Sequence, residues 1–248
     1  MKKNVVVTGA ASGIGQAIAI RASQDGHRII TVDIQDSSET VAKIIANGGK
    51  ATAYSCDLRN DGSVIDLFDR IEEGHGDIDI LINNAGTMGR WPLNITETTE
   101  DDWYTIFDTN VKSVYLCCRQ VLPGMRKRGC GIIVNIASEL AFKSAEGCTI
   151  YCASKGAVVQ FTRALAVEEA KSGIRINAVC PGPIDTGLIN PTLGEIPEDN
   201  EEQSFSQTAL KRLGKPEEIA EVVWFAASEG ASYMIGSVIM ADGGVLAS

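Results

Sequence analysis

Residues 3–20 read KNVVVTGAASGIGQAIAI. The β-branched run at 5–7 predicts a short buried strand, and the apolar residues after Gly15 have the spacing of a helix. Between them, Gly9, Gly13 and Gly15 allow a sharp turn and let backbone N–H groups approach an anion at the helix N-terminus. The spacing Gly-x3-Gly-x-Gly differs from the usual dinucleotide fingerprint. The stretch therefore predicts either a phosphate-binding turn or a tight strand-to-helix turn without a ligand.

A second predicted strand, residues 28–33, ends in Asp33, 24 positions after Gly9. A carboxylate at about this distance from the glycine turn accepts hydrogen bonds from the ribose of an adenine dinucleotide. The alternative is a solvated strand end that caps the next turn. Together with residues 3–20, Asp33 favours a dinucleotide site.

Strands and helices alternate along the rest of the chain, which predicts a parallel, doubly wound sheet. Most predicted strands are apolar without alternation, as expected where both faces of a sheet are covered. We predict strands near 4–8, 28–33, 51–55, 78–83, 131–138, 175–180 and 237–241, and helices near 13–25, 37–47, 61–75, 100–126, 150–172 and 216–228. The predicted fold is α/β: a single-domain, Rossmann-like doubly wound parallel sheet of about seven strands with helices on both faces, spanning residues 1–248.

Ser138, Tyr151 and Lys155 form the pattern Ser-x12-Tyr-x3-Lys. Tyr151 and Lys155 are four residues apart, which places them on one face of a helix. An ammonium about 4 Å from a phenol is worth roughly 4 kcal/mol at an effective dielectric of about 20, so Lys155 is expected to lower the pKa of Tyr151 by up to about three units. Ser138 ends an apolar strand, so its hydroxyl can point at the same substrate oxygen. The trio predicts proton abstraction from an alcohol. Tyr-x3-Lys alone also occurs as an ordinary surface pair.

With these motifs in place, the chain resembles the classical short-chain dehydrogenase/reductase family over essentially its whole length. Thr8 to Gly15 is similar to the family's cofactor turn, Asn83-Asn84-Ala85-Gly86 to the sequence after its fourth strand, and Pro181-Gly182 with Thr186 to its nicotinamide-side loop. The resemblance implies hydride transfer between a nicotinamide and a carbonyl/alcohol pair. It implies a cofactor site formed by Gly9, Ser12, Gly13, Ile14, Gly15, Asp33, Asp57, Leu58, Asn84, Ala85, Gly86, Tyr151, Lys155, Pro181, Gly182, Ile184 and Thr186.

The resemblance also implies a role for each catalytic residue. Tyr151 is the base, Ser138 hydrogen-bonds the substrate oxygen, and Lys155 holds the nicotinamide ribose. Asn110 is expected to anchor a water that relays protons to Lys155; an interior helix asparagine bonded to backbone is the alternative. Asp57 is expected to contact the adenine, although it could equally cap the helix predicted from residue 61.

The expected cofactor is NAD. A 2′-phosphate would place about two negative charges near Asp33, and Ser12 and Ile34 stand where the family often has arginine. Two alternatives remain: an NADP-dependent 3-oxoacyl carrier-protein reductase, and a cofactor-binding regulator without activity. The intact trio argues against the second. No metal is expected, because the seven cysteines show no C-x2-C pair.

The composition is that expected of a cytoplasmic enzyme that acts on small molecules. The net charge of −10 argues against nucleic acid and anionic membranes as partners, and no stretch approaches the length of a membrane span. Residues 187–212 break the alternation and are expected to form a substrate lid. The expected substrate is a secondary alcohol: a polyol, a sugar or a small aromatic or alicyclic alcohol. The expected pocket walls are Met88, Arg90, Trp91, Glu139, Leu140, Lys143, Glu146 and Cys148.

A homotetramer is expected, with a dimer as the alternative. The predicted helices 100–126 and 150–172 are apolar on more than one face, which indicates burial on more than one side. The apolar residues concerned are Val114, Leu116, Val158, Val159 and Phe161. In the family that the chain resembles, these two helices pack across a two-fold axis.

Overall fold

The computed structural model of the chain describes residues 2–186 and 208–247. Seven parallel strands form one sheet in the order β3-β2-β1-β4-β5-β6-β7. Their bounds are β1 Asn4–Thr8, β2 Arg28–Asp33, β3 Lys50–Ser55, β4 Ile80–Asn83, β5 Gly131–Ile136, β6 Ile174–Pro181 and β7 Val238–Ala241. The order reverses between β1 and β4, which is where doubly wound sheets bind ligands at the carboxyl ends of their strands. The predicted fold class is confirmed.

Helices cover both faces of the sheet. Their bounds are α1 Gly13–Gln24, α2 Ser38–Ala46, α3 Asp61–His75, α4 Glu100–Phe107, α5 Ser113–Arg128, α6 Thr149–Glu169 and α7 Pro216–Ala227. Side chains alternate across a strand, so β1 supplies both layers of the core. Val6 packs with residues of α3, α5 and α6, whereas Val5 and Val7 pack with residues of α1, α2 and α7. None of the described helices combines the length and apolar character that a membrane span requires.

The predicted helix 100–126 is interrupted. One π-helical turn, Asp108–Lys112, separates α4 from α5. π-Helical turns are rare overall, but those that occur often lie at functional sites. This one contains Asn110. Periodicity did not predict it, because one extra residue in a turn leaves the apolar pattern on either side unchanged.

A chain of polar side chains crosses the buried layer between the sheet and α6. Asn83 on β4 donates to Asn135 on β5 (2.9 Å), and Asn135 donates to Thr162 on α6 (2.9 Å). All three are almost fully buried, and burying such groups costs free energy unless they are hydrogen-bonded. These hydrogen bonds therefore fix α6, which carries Tyr151 and Lys155, relative to β4. The residue after β4, Asn84, contacts the glycine turn.

Candidate active site

The glycine turn after β1 is packed too tightly for side chains. Gly9 has φ +63°, and a Cβ added there would lie 2.8 Å from the Cα of Ala85. A Cβ on Gly15 would lie 1.9 Å from the carbonyl oxygen of Gly9. Only glycine permits these approaches. The turn thus brings the start of α1 against the end of β1, at the point where the strand order reverses.

The N-terminus of α1 suits an anion. Ser12 is its N-cap residue, but its side chain makes no capping hydrogen bond, and the first turn of α1 has no acidic residue. The leading N–H groups of a helix have no partner within the helix, and its dipole favours negative charge there. Thr186 lies on the other side of the turn, 3.3 Å from where a Cβ of Gly13 would be. The donor set fits the pyrophosphate of a dinucleotide.

Asp33 lies beside this turn, at the end of β2. Its Oδ2 accepts a hydrogen bond from the N–H of Ala11 (2.9 Å), and its Oδ1 accepts one from the N–H of Gln35 (2.9 Å). Among the described residues, no Lys or Arg makes an ion pair with Asp33. The neighbouring Ile34 is 60% exposed. Asp33 therefore caps two turns, as its alternative role required, and its oxygens keep lone pairs for ribose hydroxyls.

Asp57 has a partner that the sequence did not indicate. Its two oxygens accept a bidentate pair of hydrogen bonds from the Arg59 side chain, at 2.9 and 2.7 Å. Arg59 also holds the pKa of Asp57 below its usual value. The adjacent Leu58 is buried. An adenine bound here would contact the Asp57 carboxylate, which is already hydrogen-bonded to Arg59. It would also contact the Arg59 guanidinium.

The residues after β4 connect the glycine turn to Lys155. The Asn84 side chain donates to the carbonyl oxygens of Thr8 and Gly9, at 3.1 and 2.9 Å. A Cβ on Gly86 would lie 3.3 Å from both Asn110 Oδ1 and Lys155 Nζ. Gly86 therefore lets these two polar groups approach each other.

Asn110 is bonded to backbone on both of its functional groups. Its Oδ1 accepts from the N–H of Thr87 (2.8 Å), and its Nδ2 donates to the carbonyl oxygen of Thr87 (2.9 Å) and to Ser154 Oγ (3.0 Å). The π-turn directs this side chain inward toward the loop after β4. The backbone bonding expected as the alternative for Asn110 is observed, and the amide also lies near Lys155.

Ser138, Tyr151 and Lys155 come together at the carboxyl end of β5. All three are buried, with exposed fractions of 9% or less. Lys155 Nζ donates to the carbonyl oxygen of Ile136 (3.0 Å) and lies 5.7 Å from the centroid of the Tyr151 ring. Ser138 follows β5 and is the N-cap of a short 3₁₀ turn, Glu139–Ala141, where it accepts from the N–H of Leu140 (3.1 Å).

Burial dominates the ionisation of this trio. It raises the pKa of Tyr151 well above its ordinary value, and the charge of Glu139 adds to the shift while hydrogen bonding with Ser138 opposes it. Burial also lowers the pKa of Lys155 to about 8. This differs from the expectation that Lys155 lowers the pKa of Tyr151. The reason is that desolvation disfavours the charged form of each group, and the hydrogen bond of Lys155 goes to a backbone carbonyl.

A cavity adjoins Tyr151, and three of the expected wall residues, Met88, Arg90 and Cys148, line it. Arg90 is held by Asp102 through two hydrogen bonds, at 2.8 and 2.5 Å. Cys148 is 3% exposed, and burial raises its pKa to about 11. It is therefore an unreactive wall residue at neutral pH.

Beyond β6, the loop Pro181–Thr186 returns to the glycine turn. A Cβ on Gly182 would lie 2.6 Å from the Cα of Asp242, so the loop packs closely against the turn after β7. Ile184 pairs with Gly214 in an isolated bridge. Most of the expected lid, residues 187–212, lies outside the described residues.

One residue had been expected only as a pocket wall and has a closer connection to the trio. The Ser138 hydroxyl donates to Glu139 Oε2 at 2.6 Å, inside the protein. A carboxylate next to the serine could be read from the sequence, but its rotamer toward Ser138 could not.

The profile of a protein family described as Enoyl-(Acyl carrier protein) reductase matches residues 9–246. A 3beta-hydroxysteroid dehydrogenase of Mediterraneibacter gnavus is 34% identical, over 98% of this chain and 94% of that protein. A 3-oxoacyl-(acyl-carrier-protein) reductase of Thermotoga maritima is 37% identical, over 98% of each chain. A meso-2,3-butanediol dehydrogenase of Serratia marcescens is 37% identical, over 99% of this chain and 95% of that protein.

Solved structures agree with these relatives. Levodione reductase superposes with a TM-score of 0.94 at 31% identity, over 99% of this chain and 98% of its own. An actinorhodin polyketide ketoreductase variant, solved with NADPH, superposes with a TM-score of 0.92 at 32% identity, over 98% and 97%. The chain belongs to the classical short-chain dehydrogenase/reductase family. It is an oxidoreductase of that family, whose members bind a nicotinamide cofactor.

Proposed function

We propose that the chain is an NAD-dependent dehydrogenase that oxidises a secondary alcohol, with Tyr151 as the base. The observation that carries the proposal is the buried grouping of Ser138, Tyr151 and Lys155 next to an uncapped helix N-terminus. The nicotinamide supplies the hydride acceptor when bound. Gly9, Gly13 and Gly15 would hold the pyrophosphate, Asp33 the adenosine ribose, and Asn84 to Gly86 with Pro181, Gly182, Ile184 and Thr186 the nicotinamide side.

The protein's own groups handle the proton. Tyr151 as phenolate takes the proton of the substrate hydroxyl, and Ser138 hydrogen-bonds the same oxygen as its charge develops. Lys155 is charged below about pH 8, so its ammonium stabilises the negative charge that Tyr151 carries as phenolate. Asn110 holds the backbone of Thr87, and both its Oδ1 and Lys155 Nζ lie beside Gly86; we propose this as the place for a proton-relaying water.

The cofactor choice rests on the charges near Asp33. A 2′-phosphate about 4 Å away would add about two charge pairs, each costing roughly 4 kcal/mol at an effective dielectric of about 20 before screening. Even a quarter of that sum, about 2 kcal/mol, is some thirtyfold in affinity. The nearest argument for the opposite choice is Arg59, but its Nε–Nη2 edge is already hydrogen-bonded to Asp57.

The substrate class comes from the relatives and the cavity. Relatives are named for the oxidation of a steroid 3β-hydroxyl and of 2,3-butanediol, and both are secondary alcohols. The cavity next to Tyr151 is lined by the apolar Met88, Leu93 and Ile106 together with the cationic Arg90. A polyol, a sugar or a small aromatic or alicyclic alcohol fits this mixture. We further propose a cytoplasmic homotetramer.

A screen tests the activity and the cofactor together. The purified protein is offered NAD or NADP with 2,3-butanediol, sorbitol, cyclohexanol, a 3β-hydroxysteroid and a 3-hydroxyacyl thioester. We expect kcat/KM with NAD to exceed that with NADP by about thirtyfold on the same substrate, and Asp33→Asn to reduce that ratio. A preference for NADP(H) and the thioester would instead identify a 3-oxoacyl carrier-protein reductase.

A single substitution tests the base. Tyr151→Phe should lower turnover by about two to three orders of magnitude, the range typical of acid–base groups. NADH binding, followed by its fluorescence, should persist because the phenol hydroxyl contributes little to it. Turnover within tenfold of the unmodified protein would remove Tyr151 from this role.

A further inference from the structure

Glu139 is a carboxylate in direct contact with Ser138, and the proton transfer from the alcohol to Tyr151 does not use it. Its Oε2 is 2.6 Å from Ser138 Oγ, and both side chains are buried. It lies on the 3₁₀ turn Glu139–Ala141, directly after the serine. A distance of 2.6 Å is typical of an O–H···O⁻ bond, which is shorter and stronger than a bond between neutral groups. Any role of Glu139 in turnover rests on the proposed function, because Glu139 reaches the reaction through Ser138.

The surroundings of Glu139 leave its charge uncompensated. Within the described part of the chain, no Lys or Arg forms an ion pair with it. The titratable groups that act on it are Tyr151 and Cys148 on α6, Cys180 on β6 and Asp242 after β7. Burial keeps the two thiols neutral by raising the pKa of each to about 11.

The pKa of Glu139 is raised, first by burial and then by the charge of Asp242. Hydrogen bonds from Ser138 and from the N–H groups of Glu139 and Leu140 oppose the shift. Glu139 therefore stays protonated up to a higher pH than an exposed glutamate does.

A count of hydrogen-bonding positions shows what this proton decides. The Ser138 hydroxyl has one proton and two lone pairs, and one lone pair already accepts from the N–H of Leu140. An ionised Glu139 can only accept, so it takes the proton of Ser138. The remaining lone pair of the serine is hydrogen-bonded to Tyr151 in the free protein and is released when the Tyr151 phenol donates to the ketone instead. A protonated Glu139 can donate to that lone pair instead. The proton of Ser138 is then free to face a substrate carbonyl oxygen.

We propose that Glu139 is a positioning residue that sets the hydrogen-bond direction of Ser138, so that ketone reduction requires the protonated form of Glu139. The ketone oxygen must receive hydrogen bonds as it gains charge. Ser138 can donate to it only when its own proton is not committed to Glu139. Glu139 does not touch the ketone in this arrangement; it acts through Ser138 alone.

The test is the pH dependence of kcat/KM for reduction of the best ketone of the screen with NADH. Glu139→Gln keeps the shape of the side chain, and its amide N–H can donate to Ser138 Oγ at every pH. We expect the variant to be within about threefold of the unmodified protein at pH 4.5, where the raised pKa leaves Glu139 mostly protonated. Its alkaline limb should lie at a higher pH, because the glutamate titration is gone.

The direction of the shift separates this role from a simple charge effect. Glu139 also raises the pKa of Tyr151 by its charge. If that were its only action, Glu139→Gln would lower the Tyr151 pKa, and the alkaline limb, which requires the neutral phenol, would move downward. A downward shift, or superimposed profiles, overturns the proposal.

Two further variants complete the design. In a Ser138→Ala background, Glu139→Gln should produce no upward shift, and an upward shift that persists there overturns the proposal. Glu73→Gln makes the same chemical change at an exposed position of α3 and should leave the profile unchanged. A protein that reduces no ketone of the screen fails the proposed function itself. If the unmodified protein reduces a ketone and the alkaline limb of Glu139→Gln is not shifted, only the proposed role of Glu139 is overturned.

Thermal unfolding reports on the same proton without turnover. The folded pKa of Glu139 is above its ordinary value of 4.5, so its contribution to stability is fully present below that pH and is lost as pH rises through the folded pKa. Glu139→Gln should thus raise Tm relative to the unmodified protein at pH 9 by about 2–4 °C, and the gain should disappear near pH 4.5. A gain that is the same at both pH values contradicts a titrating Glu139.

Discussion

The buried Lys155 ammonium lowers the stability of the fold, although the proposed activity requires it. It is 4% exposed, and burial lowers its pKa to about 8. The unfolded chain therefore binds more protons than the folded one between about pH 8 and its ordinary value of 10.5. Stability rises with pH across that window, because the folded state no longer has to hold a buried ammonium. In the proposed mechanism, the ammonium present below about pH 8 is the cation near Tyr151.

Lys155→Met is expected to separate the two properties. The variant should lose most activity and bind NADH more weakly. At pH 7 it should unfold with a free energy about 1–3 kcal/mol higher than that of the unmodified protein, since methionine carries no charge to desolvate. The difference should shrink between pH 8 and 10.5. Urea unfolding at three pH values measures it, with Lys171→Met, an exposed lysine after α6, as control. A variant less stable at pH 7 would show that desolvation of the ammonium does not dominate at this position.

The sequence predicted which residues come together better than it predicted their hydrogen-bond partners. Ser138, Tyr151 and Lys155 could be predicted because a strand end and one helix turn determine their positions. The bonds from Ser138 to Glu139 and from Arg59 to Asp57 could not. Each depends on the rotamer of a long side chain, which packing around it selects. The same holds for the pKa of Tyr151, because burial outweighs a neighbouring charge that spacing alone suggested.

At the scale of elements, α5 and α6 are joined by an ion pair that is buried on one side. The Arg126 guanidinium donates to both oxygens of Glu169, with Nε at 3.1 and 2.9 Å. The Glu169 side chain is 1% exposed, whereas that of Arg126 is 48% exposed. Arg126 lowers the pKa of Glu169, and this overcomes the opposing effect of burial. Removing Arg126 would leave a buried carboxylate unpaired.

Arg126→Met should destabilise the fold by about 1–3 kcal/mol at pH 7, which is less than for a fully buried pair because Arg126 is half in water. The folded pKa of Glu169 is below its ordinary value of 4.5. The contribution of the pair is therefore present above pH 4.5 and lost as pH falls through the lowered pKa. Urea unfolding from pH 7 to pH 3 should show the difference shrinking.

Arg119→Met is a matched control on the same helix, since Arg119 pairs with Asp61 and both side chains are well exposed. It should cost less than about 1 kcal/mol. Equal losses for the two variants would show that burial of Glu169 does not matter.

The elements themselves followed the sequence closely, and the exception has a physical cause. All seven predicted strands are present, and most of them are the uninterrupted apolar runs of a sheet covered on both faces. The helix predicted at 100–126 is instead α4, a π-turn and α5. The π-turn is stabilised by tertiary bonds of Asn110 to Thr87 and Ser154. A local pattern contains no information on bonds between residues 23 and 44 positions apart.

At the scale of the molecule, the site is assembled from distant parts of the chain. Gly13 meets Thr186, Lys155 approaches Gly86, and Gly182 packs on the turn after β7. The reversal of strand order between β1 and β4 makes these meetings possible. The alternation of strands and helices predicted a doubly wound parallel sheet, but not the order of its strands. The oligomeric state was argued from Val114, Leu116, Val158, Val159 and Phe161. The structure buries the first four in the protein's own core, and Phe161 is partly buried against the same core. These residues therefore do not support an interface.

Other residues of the same helices do. Trp103 and Tyr104 on α4 and Tyr115 on α5 are 45%, 52% and 44% exposed. Aromatic side chains are enriched in interface cores, and a charge placed there is costly to desolvate. We expect light scattering to show a homotetramer, with a dimer as the alternative, and Tyr104→Glu or Tyr115→Glu to shift it to smaller species at micromolar concentration. Ile45→Glu, at a 56% exposed position on α2, should leave the assembly unchanged. A stable, active monomer of the unmodified protein would contradict the expectation, and the three aromatics would then need another partner.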